Sequence, residues 1–320
     1  MGTNLTTPLN NTAILPVVAA ASVSFECRRW PYYLLTPFSV SLLLWVMVKK
    51  GACKALGRPA PRINALLADG ISEECRYARA NATSWQALER MYNYRFGVKP
   101  GLMGKIDDFW QGGMNPQAVR NRLKIARREL RQVIAQFSEP EIRILSLAAG
   151  SARSVIETIA ACKHDGIRVV CLLMDIDPSA LMYAKNLAES LNVADQIQVT
   201  ETNAYLVAKI ARRFRPHIIE MMGLLDYLEQ PAAIRLATKI RESLPPGGFF
   251  LTCNIYPNIE RYFLRWVIDW PMVYRTPKTL AEVITKAGFA DYRLVAEPLN
   301  IHGVIVAREA YALRADADSR

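Results

Sequence analysis

One run of small residues offers a place for chemistry: Ser146-Leu147-Ala148-Ala149-Gly150-Ser151-Ala152-Arg153 closes an apolar stretch and opens a helical one. Small side chains let a chain turn sharply and come close to a ligand, and the free N–H groups of a helix start attract a carboxylate or phosphate. A second apolar stretch ends in Met174-Asp175-Ile176-Asp177-Pro178. An acidic residue at such a tip, about 20 residues past the turn, can accept hydrogen bonds from ribose hydroxyls. Asp175 takes that role here, and Asp177 reads as the cap of a helix starting near Pro178. Thr202-Asn203-Ala204 follows a third stretch, and Glu220-Met221-Met222-Gly223-Leu224-Leu225-Asp226-Tyr227-Leu228 follows a fourth.

Further candidates fall where loops would follow the later strands. They are Tyr227, Asn254, Tyr256, Trp270, Tyr274 and Arg275. Arg275 either pairs bidentately with a substrate carboxylate or forms an ordinary surface salt bridge. Tyr227 and Tyr274 are candidate catalytic groups or packed aromatics. His302 is a candidate base or a structural histidine. Arg120, Asn121 and Arg122 either reach the pocket or face lipid. None of the six cysteines forms a C-x-x-C pair and the three histidines are far apart, so no metal site is expected.

These residues need elements to hold them. From Glu141 onward short apolar runs alternate with helical segments. Strands are expected at Ile142–Leu147, Arg168–Met174, Ile197–Glu201, His217–Met222 and Gly248–Asn254, with helices between them. Near-continuous apolar strands separated by helices imply a doubly wound, mostly parallel α/β sheet covered on both faces. Tyr292–Ala296 and Gly303–Arg308 would add antiparallel edge strands. Upstream, Glu74–Met91 and Pro116–Phe137 read as helices, the latter with its Arg and Lys turned away from the apolar face. Gly97–Gly113 reads as loop-rich.

The net charge of +11 is unevenly spread: residues 49–140 carry 17 Lys and Arg against 8 Asp and Glu, and the remainder is nearly neutral. Trp30–Val48 has no charged residue and is flanked by Arg28-Arg29 and Lys49-Lys50. Its length suits one bilayer crossing, with Trp30, Tyr32, Tyr33 and Trp45 near the ends. A signal peptide would begin earlier, and a helix docked on the domain is the rival reading. The anchor reading puts the C-terminal bulk in the cytoplasm and the basic stretch against anionic lipid. A nucleic-acid partner would also suit the charge, but no recognised binding module accompanies it. The division expected is a membrane-associated segment 1–50, a basic helical cap 51–140, a ligand-binding domain 141–310 and a tail 311–320.

The turn, the Asp175 pair, Asn203, Gly223 and the Leu244-Pro245-Pro246-Gly247-Gly248 turn stand in an order and spacing that resembles the class I S-adenosylmethionine-dependent methyltransferases, over residues 141–310. The resemblance implies a Rossmann-like fold and S-adenosylmethionine as cofactor. Ala148 to Ala152 would hold the methionine end, Asp175 the ribose, Asn203 the adenine edge, and Glu220, Met221 and Gly223 the pocket floor, with Ser146, Ile176, Asp177 and Ala204 also among the cofactor-binding residues. It also implies methyl transfer, here to oxygen of a small or lipid-like acceptor. The rivals are an RNA or protein methyltransferase and an inactive membrane-tethered binding module. Two departures stand out. Ser146 occupies the family's acidic position, and Ala148 and Ala152 replace its outer glycines. Gly223–Leu228, Trp270–Thr276 and Gln117–Leu123 further resemble a bacterial subgroup, some members of which make the methyl ester of a hydroxy fatty acid signal.

Overall fold

The structure, a computed structural model, describes residues 14–16, 24–29 and 36–310, with the backbone alone at 14–16 and 36–38. Trp30, Tyr32, Tyr33 and the tail 311–320 lie outside the described residues.

Eight strands form one sheet: β1 (Ile14–Pro16), β2 (Ile142–Leu147), β3 (Val169–Asp175), β4 (Ile197–Glu201), β5 (Ile218–Met221), β6 (Phe249–Ile255), β7 (Asp291–Ala296) and β8 (His302–Arg308). Their order is β1-β7-β8-β6-β5-β2-β3-β4. Only β8 runs against its neighbours β6 and β7. It lies between them, so it is not the edge strand expected from the sequence. The chain winds outward through β3 and β4, then crosses back to place β5 on the other side of β2. That reversal opens a crevice at the carboxyl ends of the strands.

Successive side chains of a strand point to opposite faces, so each strand feeds two cores. Leu145, Leu147, Ile219, Met221 and Phe250 face α8 (Val207–Phe214), α9 (Gln230–Glu242) and α11 (Pro277–Lys286). Ile144, Ile218, Phe249 and Leu251 face α5 (Met114–Ile134), α6 (Arg153–His164) and α7 (Pro178–Ser190). The near-continuous apolar strands thus reflect burial on both sides.

Four helices, α1 (Thr36–Ala55), α2 (Glu73–Ala80), α3 (Trp85–Tyr92) and α4 (Gly101–Gln111), gather with α10 (Arg261–Trp266) above the strand ends. Two expectations change here. Glu74–Met91 is two helices, because Asn81 and Ser84 bond back to local carbonyls and Thr83 turns left-handed. The glycine-rich stretch 97–113 contains α4, where Gly104 sits so close to Lys99 that an added Cβ would fall 2.0 Å from its carbonyl oxygen.

Of the expected membrane segment Trp30–Val48, only the part from Thr36 onward is described. No helix among the described residues is long and apolar enough to cross a membrane. In α1 the uncharged part runs from Thr36 to Val48, about 20 Å of helix against a hydrocarbon core of about 30 Å. The helix instead docks by one face: Leu42, Leu43 and Val46 join Ala65, Met91 and Ile268 in the cap core, while Leu44, Trp45 and Val48 stay exposed.

Helix α5 links the layers. At 21 residues it is about 31 Å long, and its second half covers the sheet while its first half reaches over the crevice. Its second half keeps the expected solvent face at Arg127 and Arg131, but the polar residues of its first half do not face solvent. Arg120, Asn121 and Arg122 are all buried. Asn121 and Gln117 exchange hydrogen bonds with the backbone of Glu26 and Arg28, and Arg120 pairs with the Glu26 carboxylate. These side chains hold residues 24–29 against α5. Asn121→Ala removes two bonds to the Glu26 backbone. It should cost about 1–2 kcal/mol in urea denaturation and speed proteolytic cleavage near residues 24–29.

Candidate active site

The crevice at the β2–β5 reversal holds a cavity of about 380 Å³, a size suited to a small ligand. The turn after β2 forms its floor. Ala148, Gly150 and Ala152 all adopt positive φ (48°, 54° and 50°). The two alanines that replace family glycines therefore keep the glycine conformation and carry the strain of a Cβ in it. Gly150 has a further reason to lack a side chain, since a Cβ there would lie 3.2 Å from the Trp85 Cβ. The cap thus rests directly on the turn.

Asp175 ends β3 beside this turn. Its carboxylate accepts from the backbone N–H of Gly150 and of Asp177, at 2.8 and 2.9 Å, and each oxygen keeps a lone pair for a further donor. Asp177 caps α7 through Ser179 N–H and accepts from the Trp85 indole N–H at 3.1 Å. Ile176 is 68% exposed at the cavity edge, an apolar surface on which a flat ring can rest.

Glu220, at the β5 end, is 4% exposed and reaches the cavity wall. It sits in register with Ser146, whose hydroxyl donates to it at 2.5 Å. Burial pushes its carboxyl up to about 7, against the opposing pull of the Ser146 and Ser154 hydroxyls and of Arg122.

The wall beyond Glu220 is charged and buried. Arg122 projects from α5, 4% exposed, toward the Tyr92 hydroxyl at 3.3 Å and the Asp226 carboxylate at 3.8 Å. Asp226 is fixed by Asn254 and the Ile255 N–H, and burial pushes it up to about 6. His302 is also buried in this wall, with no partner for Nδ1 among the described residues. Burial and the Arg122 charge hold it well below its ordinary value, so its imidazole is neutral. Tyr227 lines the same wall and accepts from the Trp270 indole N–H at 2.9 Å. Burial raises its pKa, so the phenol stays protonated near neutral pH.

The sequence-named residues therefore divide. Ala148 to Ala152, Asp175 to Asp177, Glu220, Gly223 and Tyr227 share one cavity. Ser146 lies behind the wall, holding Glu220, and Met221 is in the core below. Asn203 and Ala204 are off the cavity wall, where the Asn203 side chain accepts from Tyr205 N–H. Arg275 is corrected outright. Its guanidinium donates to Gln230, Asn254 and the carbonyls of Leu225 and Leu228, which occupies the fork meant for a substrate. It pins the turn that carries Asp226 and Tyr227. Tyr274 packs against Met114 and Ile255 outside the cavity wall. Sequence reasoning passed over Trp85, Tyr92 and Asp226, and left Arg122 undecided. Asp226 stood inside a singled-out motif, whereas the aromatics had no local signal.

A cationic, hydroxylated ligand with a flat base suits this set: a buried carboxylate without a bonded cation, a carboxylate with open lone pairs, and an exposed apolar edge. Two measurements check the electrostatic and strain arguments. The folded chain holds a proton on Glu220 that the unfolded chain, with its carboxyl at the ordinary 4.5, has released. Stability should fall as pH rises from about 4.5 to about 7, by on the order of 3 kcal/mol, and Glu220→Gln should flatten that fall in urea midpoints. Ala152→Gly relieves the left-handed alanine and should stabilise by about 0.5–1 kcal/mol, the reverse of the usual effect of glycine.

Comparison with known proteins places this site. A family model described as "Putative methyltransferase" matches residues 61–309. A search of curated proteins finds no match. Among solved structures, a "possible exported protein" from Bordetella parapertussis is similar at 17% identity, over 85% of this chain and 96% of that one, with a TM-score of 0.64. Magnesium protoporphyrin IX methyltransferase from Synechocystis PCC 6803, with bound SAH, is similar at 11% identity over 74% of this chain and 100% of that one, with a TM-score of 0.51. The CMeT domain of the citrinin polyketide synthase is similar at 15% identity over 76% and 67%, with a TM-score of 0.50. These likenesses show the fold. With the family match over most of its length, the cavity floor at the β2 turn and the Asp175 carboxylate beside it, the chain belongs to this methyltransferase family, of class I fold and with S-adenosylmethionine as its cofactor.

Proposed function

We propose that the protein methylates oxygen, a carboxylate or hydroxyl, on an acceptor with an apolar body. One observation carries this reading. A second cavity, of about 570 Å³ and mainly apolar, adjoins the first and shares Met91, Asn115, Pro116, Leu264 and Trp270 with it. Its far walls are Leu42 and Leu43 of α1, Ile106 and Phe109 of α4, Phe263 of α10 and Ile268 just after it. An acceptor seated there presents its polar end to Arg122, Asp226, Tyr227 and His302 across the shared wall.

Bound S-adenosylmethionine supplies an electrophilic methyl on a sulfonium, in this reading with its ribose on Asp175 and its methionine end on the turn Ala148–Ala152. The chain's own residues do the rest. Arg122 is a buried cation with long contacts only, so its fork is open to an acceptor carboxylate. Such a carboxylate is already ionised and needs only alignment and exclusion of water. For a hydroxyl acceptor, the Nδ1 of neutral His302, unpartnered among the described residues, can accept a hydrogen bond that orients the hydroxyl.

The charge distribution weighs against a polymer substrate. Within the basic stretch Arg79, Arg90, Lys99, Arg120, Arg127, Arg128 and Arg131 are each in ion pairs with Asp or Glu. Arg79, Arg90 and Lys99 hold the cap, Arg120 holds residues 24–29, and Arg127 and Arg131 tie α5 to α6.

Transfer of labelled methyl from the cofactor into a cell extract should label the small-molecule or lipid fraction. Label in RNA or protein would overturn the reading. With an acceptor in hand, Arg122→Met should lower kcat/KM about 100-fold or more and change cofactor affinity less than about 3-fold. Leu43→Trp, which narrows the apolar cavity, should raise KM for bulky acceptors more than for short ones.

A further inference from the structure

Buried carboxylates in this molecule have visible partners. Glu74 meets Arg90 and Lys99, Asp69 meets Arg79, Glu89 meets Arg153, and Glu129 meets Arg293. Glu297 accepts two backbone N–H groups and the Asn121 amide. Glu220 differs. Among the described residues its carboxylate receives only the hydroxyls of Ser146, at 2.5 Å, and Ser154, at 3.4 Å, and no cation lies within ion-pair distance. Leaving a buried carboxylate with so little is costly unless a ligand completes it. This one faces a ligand cavity.

The cofactor brings two cations, the sulfonium and the α-ammonium of its methionine part. Sheet order separates them. Asp175 ends β3, the turn follows β2, and Glu220 ends β5, so Asp175 and Glu220 lie two strand spacings apart, roughly 10 Å. A cofactor whose ribose is held at the Asp175 end lays its methionine part along the turn toward β5. Ser146 stands opposite Glu220 in register on the neighbouring strand, so a carboxylate on either residue would serve nearly the same point.

We propose that Glu220 holds the α-ammonium of S-adenosylmethionine, the anionic group having moved from the β2 position occupied by Ser146 to the facing position on β5. Ser146 then acts as a positioning residue that orients the carboxylate through its hydroxyl. The proposal rests on the cofactor and not on the acceptor argued above, so either can fail without the other.

Calorimetry on the full chain at pH 8 tests it with three probes. S-adenosylmethionine has both cations, S-adenosylhomocysteine keeps only the ammonium, and 5′-methylthioadenosine has neither. Glu220→Gln should weaken the first two by about 10- to 100-fold and leave the third within about 2-fold. The double variant Ser146→Asp, Glu220→Ser, which returns the carboxylate to β2, should recover at least part of the loss for the first two. Unchanged binding of S-adenosylhomocysteine to Glu220→Gln would assign the carboxylate to the sulfonium and overturn the proposal. An equal loss for all three probes would reduce Glu220 to a structural part of the wall and overturn it too.

Discussion

Arg122 is a cation buried in the wall of a ligand cavity with no close ionic partner, and the surrounding arrangement follows from the cost of keeping it there. A guanidinium cannot lose its proton, so its neighbours must adapt. Asp226 faces it at 3.8 Å and is itself fixed by Asn254 and a backbone N–H. His302 responds by staying neutral, because a second positive charge in the same dry wall is unfavourable. The Tyr92 hydroxyl fills the remaining direction. One arginine on one helix thereby sets the electrostatics of the acceptor side.

Keeping that geometry requires the sheet and the cap to move as one. Arg153, in the first turn after the cofactor turn, meets Glu89 of α3 in a largely buried ion pair that Tyr183 also joins. Trp85 sits on Gly150 and bonds Asp177 from the same helix. On the other flank Arg275 ties the Asp226 turn to β6 and α9. Arg153 and Arg275 thus do structural work at the cavity edge, which leaves Arg122 as the cation facing the ligand among the described residues. Long connections among polar groups suit this job, since each bond has direction as well as strength.

The excess positive charge has a similar explanation. Read along the chain it invites a membrane or nucleic-acid partner. In three dimensions much of it is matched by carboxylates brought from distant positions, such as Arg79 with Asp269 and Arg131 with Asp165. Lys50 likewise turns to Asp269 and the Trp266 carbonyl, anchoring the end of α1 onto the cap. An apolar helix with basic residues at its end can be a docked element as readily as a membrane span. In its described part α1 docks on the cap through Leu42, Leu43 and Val46.

By itself the sequence determined the parallel α/β sheet, the turn after β2 and the Asp175 tip, because these depend on local periodicity and on short motifs whose residues sit next to one another, and the family resemblance those motifs carry implied the cofactor class. It left other matters open, or read them wrongly. Arg275 and Arg122 are the same residue type near the same motifs, and their difference lies in which donors are already occupied by groups 20 to 130 positions away. The pairing of Ser146 with Glu220 is a strand register, 74 residues apart in the chain. The apolar second cavity is an enclosure formed by helices from three separate stretches. Only the tertiary structure could decide these points, since burial, desolvation and the satisfaction of hydrogen bonds are properties of what surrounds a side chain, not of its neighbours in sequence.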